Sequence, residues 1–459
     1  MPPPISLTDG PVDRTLLRLA LPMVAGIVAI MLFNIVDTWF IGQLGAEQLA
    51  AMTFTFPVVM VVNSVTMGIG VGASAVIARA IGQGDTSGVR RLTTDALLLA
   101  VGLVTVLASI GLATIDPLFT LLGAEPRLLP MIHDYIAPVY LGLGFLVIPM
   151  VGNAAIRATG DTKTPSVIMM CAGLVNLVLD PLLIFGIGPF PRLELFGGAL
   201  ATVISWVITL IAALWVLGRR LGMISFTRPS GRAVLASWRA ILYVGLPAAA
   251  TYLLVPFANG VLTRFVSAHG PAPVAGFGVG GRVESLALIA VMAVATGLAP
   301  FVGQNFGARR CDRIREALRL GIRFSLLWGL GMAALLAVLG PTIGGWFSDD
   351  PAVIETAEHY LWLVPISYGA YGVAMQVNTT FNALNRPLRS AALITIRLFV
   401  LALPLAWAGG ELWGTEGIFA GLSIGNLAAG LVAYAFVFRF LRTAEEEAAA
   451  APEPAPLGG

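Results

Sequence analysis

The chain has 459 residues, of which 57% are hydrophobic and 11% charged, with a formal net charge of +2 and a mean hydropathy of +0.88. Soluble domains carry about 25% charged residues, so this composition excludes a water-soluble globule and points to a polytopic membrane protein. The small net charge gives no basis for nucleic-acid binding, and two cysteines, Cys171 and Cys311, build no disulfide framework.

Residues 1–13 are proline-rich and read as a loose cytoplasmic tail. The first apolar run, from Leu16, is long enough to span and lacks a small-residue cleavage site, so no cleavable signal peptide is expected. A bilayer core of roughly 30 Å takes about 20 apolar residues. Twelve such runs follow, near 16–41, 50–78, 92–115, 129–156, 165–188, 197–218, 236–266, 273–303, 316–344, 354–384, 388–409 and 414–441. Arginines and lysines recur after every second run, among them Arg79, Arg90, Arg157, Lys163, Arg219, Arg309 and Arg386, while the opposite loops hold little beyond Arg127 and Arg192. By the positive-inside rule both termini are cytoplasmic. The last residues, 443–459, are rich in Glu, Ala, Pro and Gly and read as a disordered cytoplasmic tail.

The chain also repeats itself. Leu21-Pro22 matches Leu246-Pro247, Tyr135 matches Tyr360, and Asn153 matches Asn378, each pair 225 residues apart. Six spans separate the copies, so the repeat keeps its orientation. The expected fold is an all-α integral membrane protein of two pseudo-symmetric six-helix lobes related by an axis along the membrane normal. The lobes occupy 14–218 and 240–442, joined by a basic cytoplasmic linker at 219–239.

Polar residues inside these spans mark candidate sites. The fifth span carries Asn176, Asp180 and Pro181. An ionised aspartate in hydrocarbon costs roughly 2.5–3.5 kcal/mol on insertion scales. Asn176 lies one turn before Asp180 and points the same way, and Pro181 loosens the backbone of the preceding turn. Asp37 in the first span and Thr202 in the sixth lie at depths that permit contact with them. Two carboxylates in one dry pocket make a proton site, or hold a monovalent cation such as Na⁺ with Asn and Thr oxygens completing the shell. Phe33, Met60 and Met170, with Asn34 and Asn153, are expected to line an adaptable pocket for hydrophobic cations. Gly68, Gly70 and Gly72 sit inside the second span, with no strand before them, and read as helix-packing glycines. No Walker motif appears, and His133, His269 and His359 have no metal-binding spacing.

The stretches NLVLDPLLIFGIG, LPMVAG…FNIVDTWFIG, GVGASAVIARAIGQGD and RATGDTKTP resemble the multidrug and toxic compound extrusion (MATE) family over about residues 14–442, its DinF-like prokaryotic branch above all. The resemblance implies cation coupling in the N-terminal lobe through Asp37, Asn176, Asp180 and Thr202, with bending of the first helix at Pro22. The NorM branch uses an acidic residue of the seventh helix; here Tyr243 to Val266 contains none. Glu284, beside Arg282 and read mainly as its ion-pair partner, and Arg397 are secondary candidates in the C-terminal lobe.

The expected activity is secondary antiport: export of amphipathic, often cationic, xenobiotics in exchange for H⁺ or Na⁺, by alternating access. The protein is expected to be no enzyme, to use no cofactor, to lie in the inner or plasma membrane and to work as a monomer. A lipid-linked oligosaccharide flippase is the nearest alternative, although such proteins carry more basic residues in a central cavity, and the arginines here read as loop residues. A membrane-embedded lipid-modifying enzyme would need an acid–base or metal cluster, and a passive channel would conduct without coupling.

Overall fold

A computed structural model describes residues 6–225 and 230–450. Hydrocarbon offers no partner to a bare N–H or C=O, so a spanning segment must satisfy its backbone within a helix. Twelve helical spans result among the described residues. They are α1 (Val12–Gly42), α2 (Ala46–Gly82), α3 (Thr86–Ala113), α4 (Leu129–Ala158), α5 (Lys163–Phe185) and α6 (Glu194–Trp215, prolonged by a π-helical turn, Val216–Arg220), then α7 (Gly231–Ser267). The span α8 is broken at Leu288 into Pro271–Ala287 and Ile289–Gly307; α9 is Cys311–Phe347. In α10 a 3₁₀ turn, Val364–Ser367, joins Pro351–Leu363 to Tyr368–Ala383. The span α11 starts as Pro387–Thr395 and passes through a π-helical turn, Ile396–Ala402. It ends at Trp413 and Gly414, where α12 begins; Gly414 has φ 62 and ψ −142, a conformation closed to side chains with a Cβ.

Several helices are longer than the apolar runs. The 37 residues of α9 cover about 55 Å, and its first turns carry Arg313 and Arg315 ahead of the expected start at 316. Hydropathy sees the apolar window, whereas charged end turns keep their helical hydrogen bonds in water. For the same reason the linker shrinks: 219–220 end α6 and 231–239 begin α7. Residues 443–450 are helical rather than disordered and extend α12, as glutamate and alanine favour; 451–459 lie outside the described residues. Asp85 caps α3, accepting from the Gly88 N–H and the Ser87 hydroxyl, each at 2.8 Å.

Residues 6–13 are not a loose tail, while residues 1–5 lie outside the described residues. Leu7 is buried, and the start of α1 (Val12, Leu16, Leu19) packs into a core built by α8, α9, α10 and α12. The Arg313 guanidinium donates to the carbonyls of Gly10 at 2.8 Å and of Leu7 and Asp9 at 3.3 Å. Correspondingly, Ile241 of α7 packs in the core of the first lobe, and the Trp238 indole donates to the Asp95 carbonyl of α3 at 2.9 Å. Each lobe thus lends the start of its first helix to the other, so a clean boundary at residue 14 does not describe the packing.

The lobes meet through glycines. A Cβ on Gly72 would lie 2.2 Å from the Ile241 carbonyl oxygen, one on Gly68 2.5 Å from that of Gly245, and one on Gly82 1.9 Å from that of Gln304. All these approaches fall in the arginine-rich half of the molecule. Beyond Gly68 and Ala249, α2 and α7 line a cavity instead.

Candidate functional site: a buried carboxylate cluster beside a central cavity

Small residues bring α1, α5 and α6 close enough to share polar side chains. Gly26 of α1 faces Ser166 of α5, and Gly197 of α6 abuts the Leu183 carbonyl of α5. Gly186, left-handed at φ 73, ends α5 three residues earlier than the apolar run implies, and α6 starts at Glu194. Asp180 is therefore 5 residues, about 7.5 Å, from its helix end, and Thr202 is 8 residues, about 12 Å, from its own.

Asn176 and Asp180 are fully buried, and Asp37 is 7% exposed. With its amide turned to satisfy both neighbours, Asn176 donates to Asp180 Oδ2 at 2.6 Å and accepts from the Thr202 hydroxyl at 3.3 Å. One Asp37 carboxylate oxygen, Oδ1, is buried without a hydrogen-bond partner. Asp37 lies within electrostatic range of Asp180, and both act on the buried Tyr135 of α4. Pro181 deprives the Leu177 carbonyl of its helical partner in the same turn. The four residues named from the sequence are thus brought to one place, with Tyr135 as a fifth that sequence reasoning had marked only as a repeat position. Two carboxylates, an amide and a hydroxyl, largely dry, form an all-oxygen acceptor set suited to a proton or an alkali cation. Among the described residues no three His, Cys, Asp or Glu side chains cluster as a multivalent metal site would require.

Asp37, Asn176 and Thr202 also edge a cavity of about 1000 Å³ between the lobes. Its lining includes Phe33, Asn34 and Asn153, as expected, and Met23, Met31, Met67, Met150 and Met169. Met60 and Met170 do not reach it and are 51% and 39% exposed on the outside of the bundle. Met169 takes the place expected of Met170, one residue being about 100° of helix rotation. Pro22 and Pro181 do not line the cavity either; Pro22 sits inside α1, which is assigned as one helix from Val12 to Gly42.

In the second lobe, Arg397 lines the cavity from the π-helical turn of α11, its guanidinium 4.5 Å from the centre of the Tyr371 ring. Glu284 stays outside the cavity lining, and its partner is not Arg282, which is exposed. Glu284 instead accepts a hydrogen bond from the Tyr360 hydroxyl, with Arg397 in electrostatic range. The reason is helical phase: Arg282 and Glu284 are about 200° apart. Tyr135 and Tyr360, 225 residues apart, each stand by the intramembrane acids of their own lobe: Tyr135 by Asp37 and Asp180, and Tyr360 by the half-buried Glu284.

Sequence reasoning missed Arg157. It follows an apolar run and reads from the sequence as a loop charge, but it belongs to the last turn of α4 and faces the cavity. The signal was present: its repeat partner is the polar Asn382, which also lines the cavity.

The MatE family model matches residues 22–182 and 247–408. The chain is 40% identical over 428 residues to a protein named FAD transporter from Shewanella oneidensis, covering 93% of this chain and 95% of the relative. It is 24% identical over 433 residues to the multidrug export protein MepA of Staphylococcus aureus, covering 94% of each. Among solved structures it resembles the Vibrio cholerae MATE transporter VcmN in the bent form, with a TM-score of 0.90 and 30% identity, over 94% of this chain and 97% of that one.

Proposed function

Because the chain belongs to the MatE family of transporters, we propose that it exports flavin adenine dinucleotide, or a flavin nucleotide like it, across the cell membrane in exchange for inward-moving H⁺ or Na⁺. The observation that carries this reading is the 40% identity, along nearly the whole of both chains, to a relative named as an FAD transporter. The cavity of about 1000 Å³ supports it in size, standing at the upper end of small-molecule sites.

In this reading the arginine-rich face is cytoplasmic, so the cavity faces outward in the conformation described above. The coupling ion enters from outside and binds Asp37 and Asp180, with Asn176 and Thr202 completing its shell. Neutralising the two carboxylates removes the cost of bringing them into a drier, closed site. The inner half of α1, beyond the hydrogen bond that Pro22 omits, moves relative to the outer half. The ion can bias the two states only by its differential affinity for them. The physiological unit is the monomer, since one chain supplies both the ion site and the cavity.

A second reading, multidrug export, is favoured by the methionine-rich lining, a surface that repacks around varied apolar ligands. Proteoliposomes loaded with FAD, or separately with ethidium, distinguish the two under imposed pH and sodium gradients. Saturable, gradient-driven FAD flux is the expected result. Ethidium flux with no FAD flux would replace the flavin reading by the multidrug one.

A further inference from the structure

We infer that Arg157 and Arg397 are the phosphate-recognising residues of the cavity, so that its solute is an aromatic anion of the nucleotide class. The inference rests on the flavin reading above and deepens it by naming the residues that select the substrate.

Among the described residues only three charged ones line the cavity: Asp37, Arg157 and Arg397. Asp37 lies 25 residues, about 37 Å, along α1 from its arginine-rich end, whereas Arg157 is the penultimate residue of α4 at that end. The carboxylate and the nearer guanidinium therefore occupy opposite ends of the space. Arg157 makes no ion pair or side-chain hydrogen bond among the described residues; Tyr252 of α7 is its electrostatic neighbour.

Amides surround that end. Asn153, one turn before Arg157, is 5% exposed with its Oδ1 unpartnered, and Asn382 is 7% exposed with its Oδ1 likewise unpartnered. Asn378 turns its own amide oxygen to the Ser390 hydroxyl. Buried polar groups are normally satisfied, and exceptions call for a ligand or a water. The orphaned amide oxygens are acceptors and call for a donor, such as a ring N–H or amino group of the solute, while the Arg157 guanidinium fork is donor chemistry for its phosphate.

Arg397 supplies the second guanidinium, 8% exposed. Among the described residues its only side-chain hydrogen bond is a long one to Asn426 Oδ1, at 3.5 Å. Glu284 is near but is held by Tyr360 and forms no ion pair with Arg397 within 4.0 Å. The turn that carries Arg397 is π-helical, a distortion that concentrates at functional sites. A cationic solute would meet like charge from both arginines. An aromatic phosphate would find cations for its phosphates and Trp206, Tyr252 and Tyr371 for its rings.

The test is flux of FAD, riboflavin (the same ring system without phosphate) and ethidium through wild-type, Arg157→Gln and Arg397→Gln proteoliposomes. Each Gln variant is expected to raise the KM for FAD by at least about ten-fold, leaving ethidium flux equal or higher. The Lys variants keep the charge but lose the fork, so their KM rises less; they decide the matter where a Gln variant fails to fold. Folded Gln variants that carry FAD with wild-type KM overturn the arginine assignment and leave the flavin reading intact. Wild-type protein that carries ethidium or riboflavin but not FAD overturns the flavin reading itself. Arginine-dependent binding of an isoprenyl pyrophosphate lipid without FAD binding moves the phosphate to a lipid and overturns the nucleotide assignment.

Discussion

Asp180 has one good partner, the Asn176 amide at 2.6 Å, and Asp37 has an orphaned oxygen. A carboxylate so poorly compensated in an apolar interior is stable only when something else supplies the missing charge or proton. Removing the charge while keeping the shape separates coupling from folding. Asp37→Asn and Asp180→Asn should each reduce gradient-driven export to the level of protein-free liposomes, with membrane expression unchanged. Near-wild-type export by either variant would remove that residue from the ion site. Asn176→Ala should weaken the apparent affinity for the coupling ion by about ten-fold, the usual effect of deleting a supporting partner. Its readout is the dependence of flux on the ion concentration outside. These residues were visible in the sequence because polar side chains in apolar spans stand out. Arg157 was not, since an arginine just past an apolar run has the same signature whether it lies in a loop or turns back into a cavity.

The helices are placed by glycine. Where α2 crosses α7, Gly72 and Gly245 let backbone meet backbone, and no larger residue fits at Gly72 without displacing the Ile241 carbonyl. Gly72→Leu should therefore part the lobes at the arginine-rich face, at a cost of about 1–3 kcal/mol or more. A lowered melting temperature in detergent, together with faster thiol labelling of a cysteine placed at Ala249, is the expected result; unchanged values of both would contradict it. At the start of α3, Asp85 accepts the Gly88 N–H, and that backbone bond above all, with the Ser87 hydroxyl, holds its carboxyl below the usual range. A depressed pKa in the folded state contributes stability above the ordinary carboxylate value of about 3.9, and this is lost as pH falls through the folded value. Asp85→Ala should cost about 1 kcal/mol near neutrality, reduced by solvent exposure. The melting-temperature gap to wild type should close below about pH 4; a gap that persists there would assign the loss to something other than the carboxylate.

The molecule as a whole is two lobes clasped at one face. Leu7 to Gly10 lie across the second lobe, held by Arg313. Gln304 accepts the Leu7 N–H at 3.2 Å and donates to the Ala158 carbonyl of the first lobe at 2.8 Å. Of these, the Gln304 bond to the Ala158 carbonyl ties the two lobes at the arginine-rich face. Arg313→Ala should shift the population toward opening there, by about 2 kcal/mol for the loss of charge-assisted bonds. Spin labels at Gly84 and Arg309 should show a longer-distance population, and an unchanged distribution would mean that the clasp does not bias the states. Twelve spans and two repeated halves were legible because hydropathy and a 225-residue echo survive any loop. The clasp was not, because a short proline-rich segment looks the same whether it floats or fills a groove. Helical phase was equally hidden: Met169 rather than Met170 reaches the cavity, and Glu284 turns to Tyr360 rather than Arg282.

The coupling claim is tested most directly by FAD flux from proteoliposomes under a pH gradient, a sodium gradient, and neither, with wild type and Asp180→Asn side by side. One gradient is expected to drive flux, an ionophore dissipating it to stop that flux, and Asp180→Asn to be silent throughout. Equal FAD flux with and without both gradients, or gradient-driven flux in Asp180→Asn, would contradict the coupling claim.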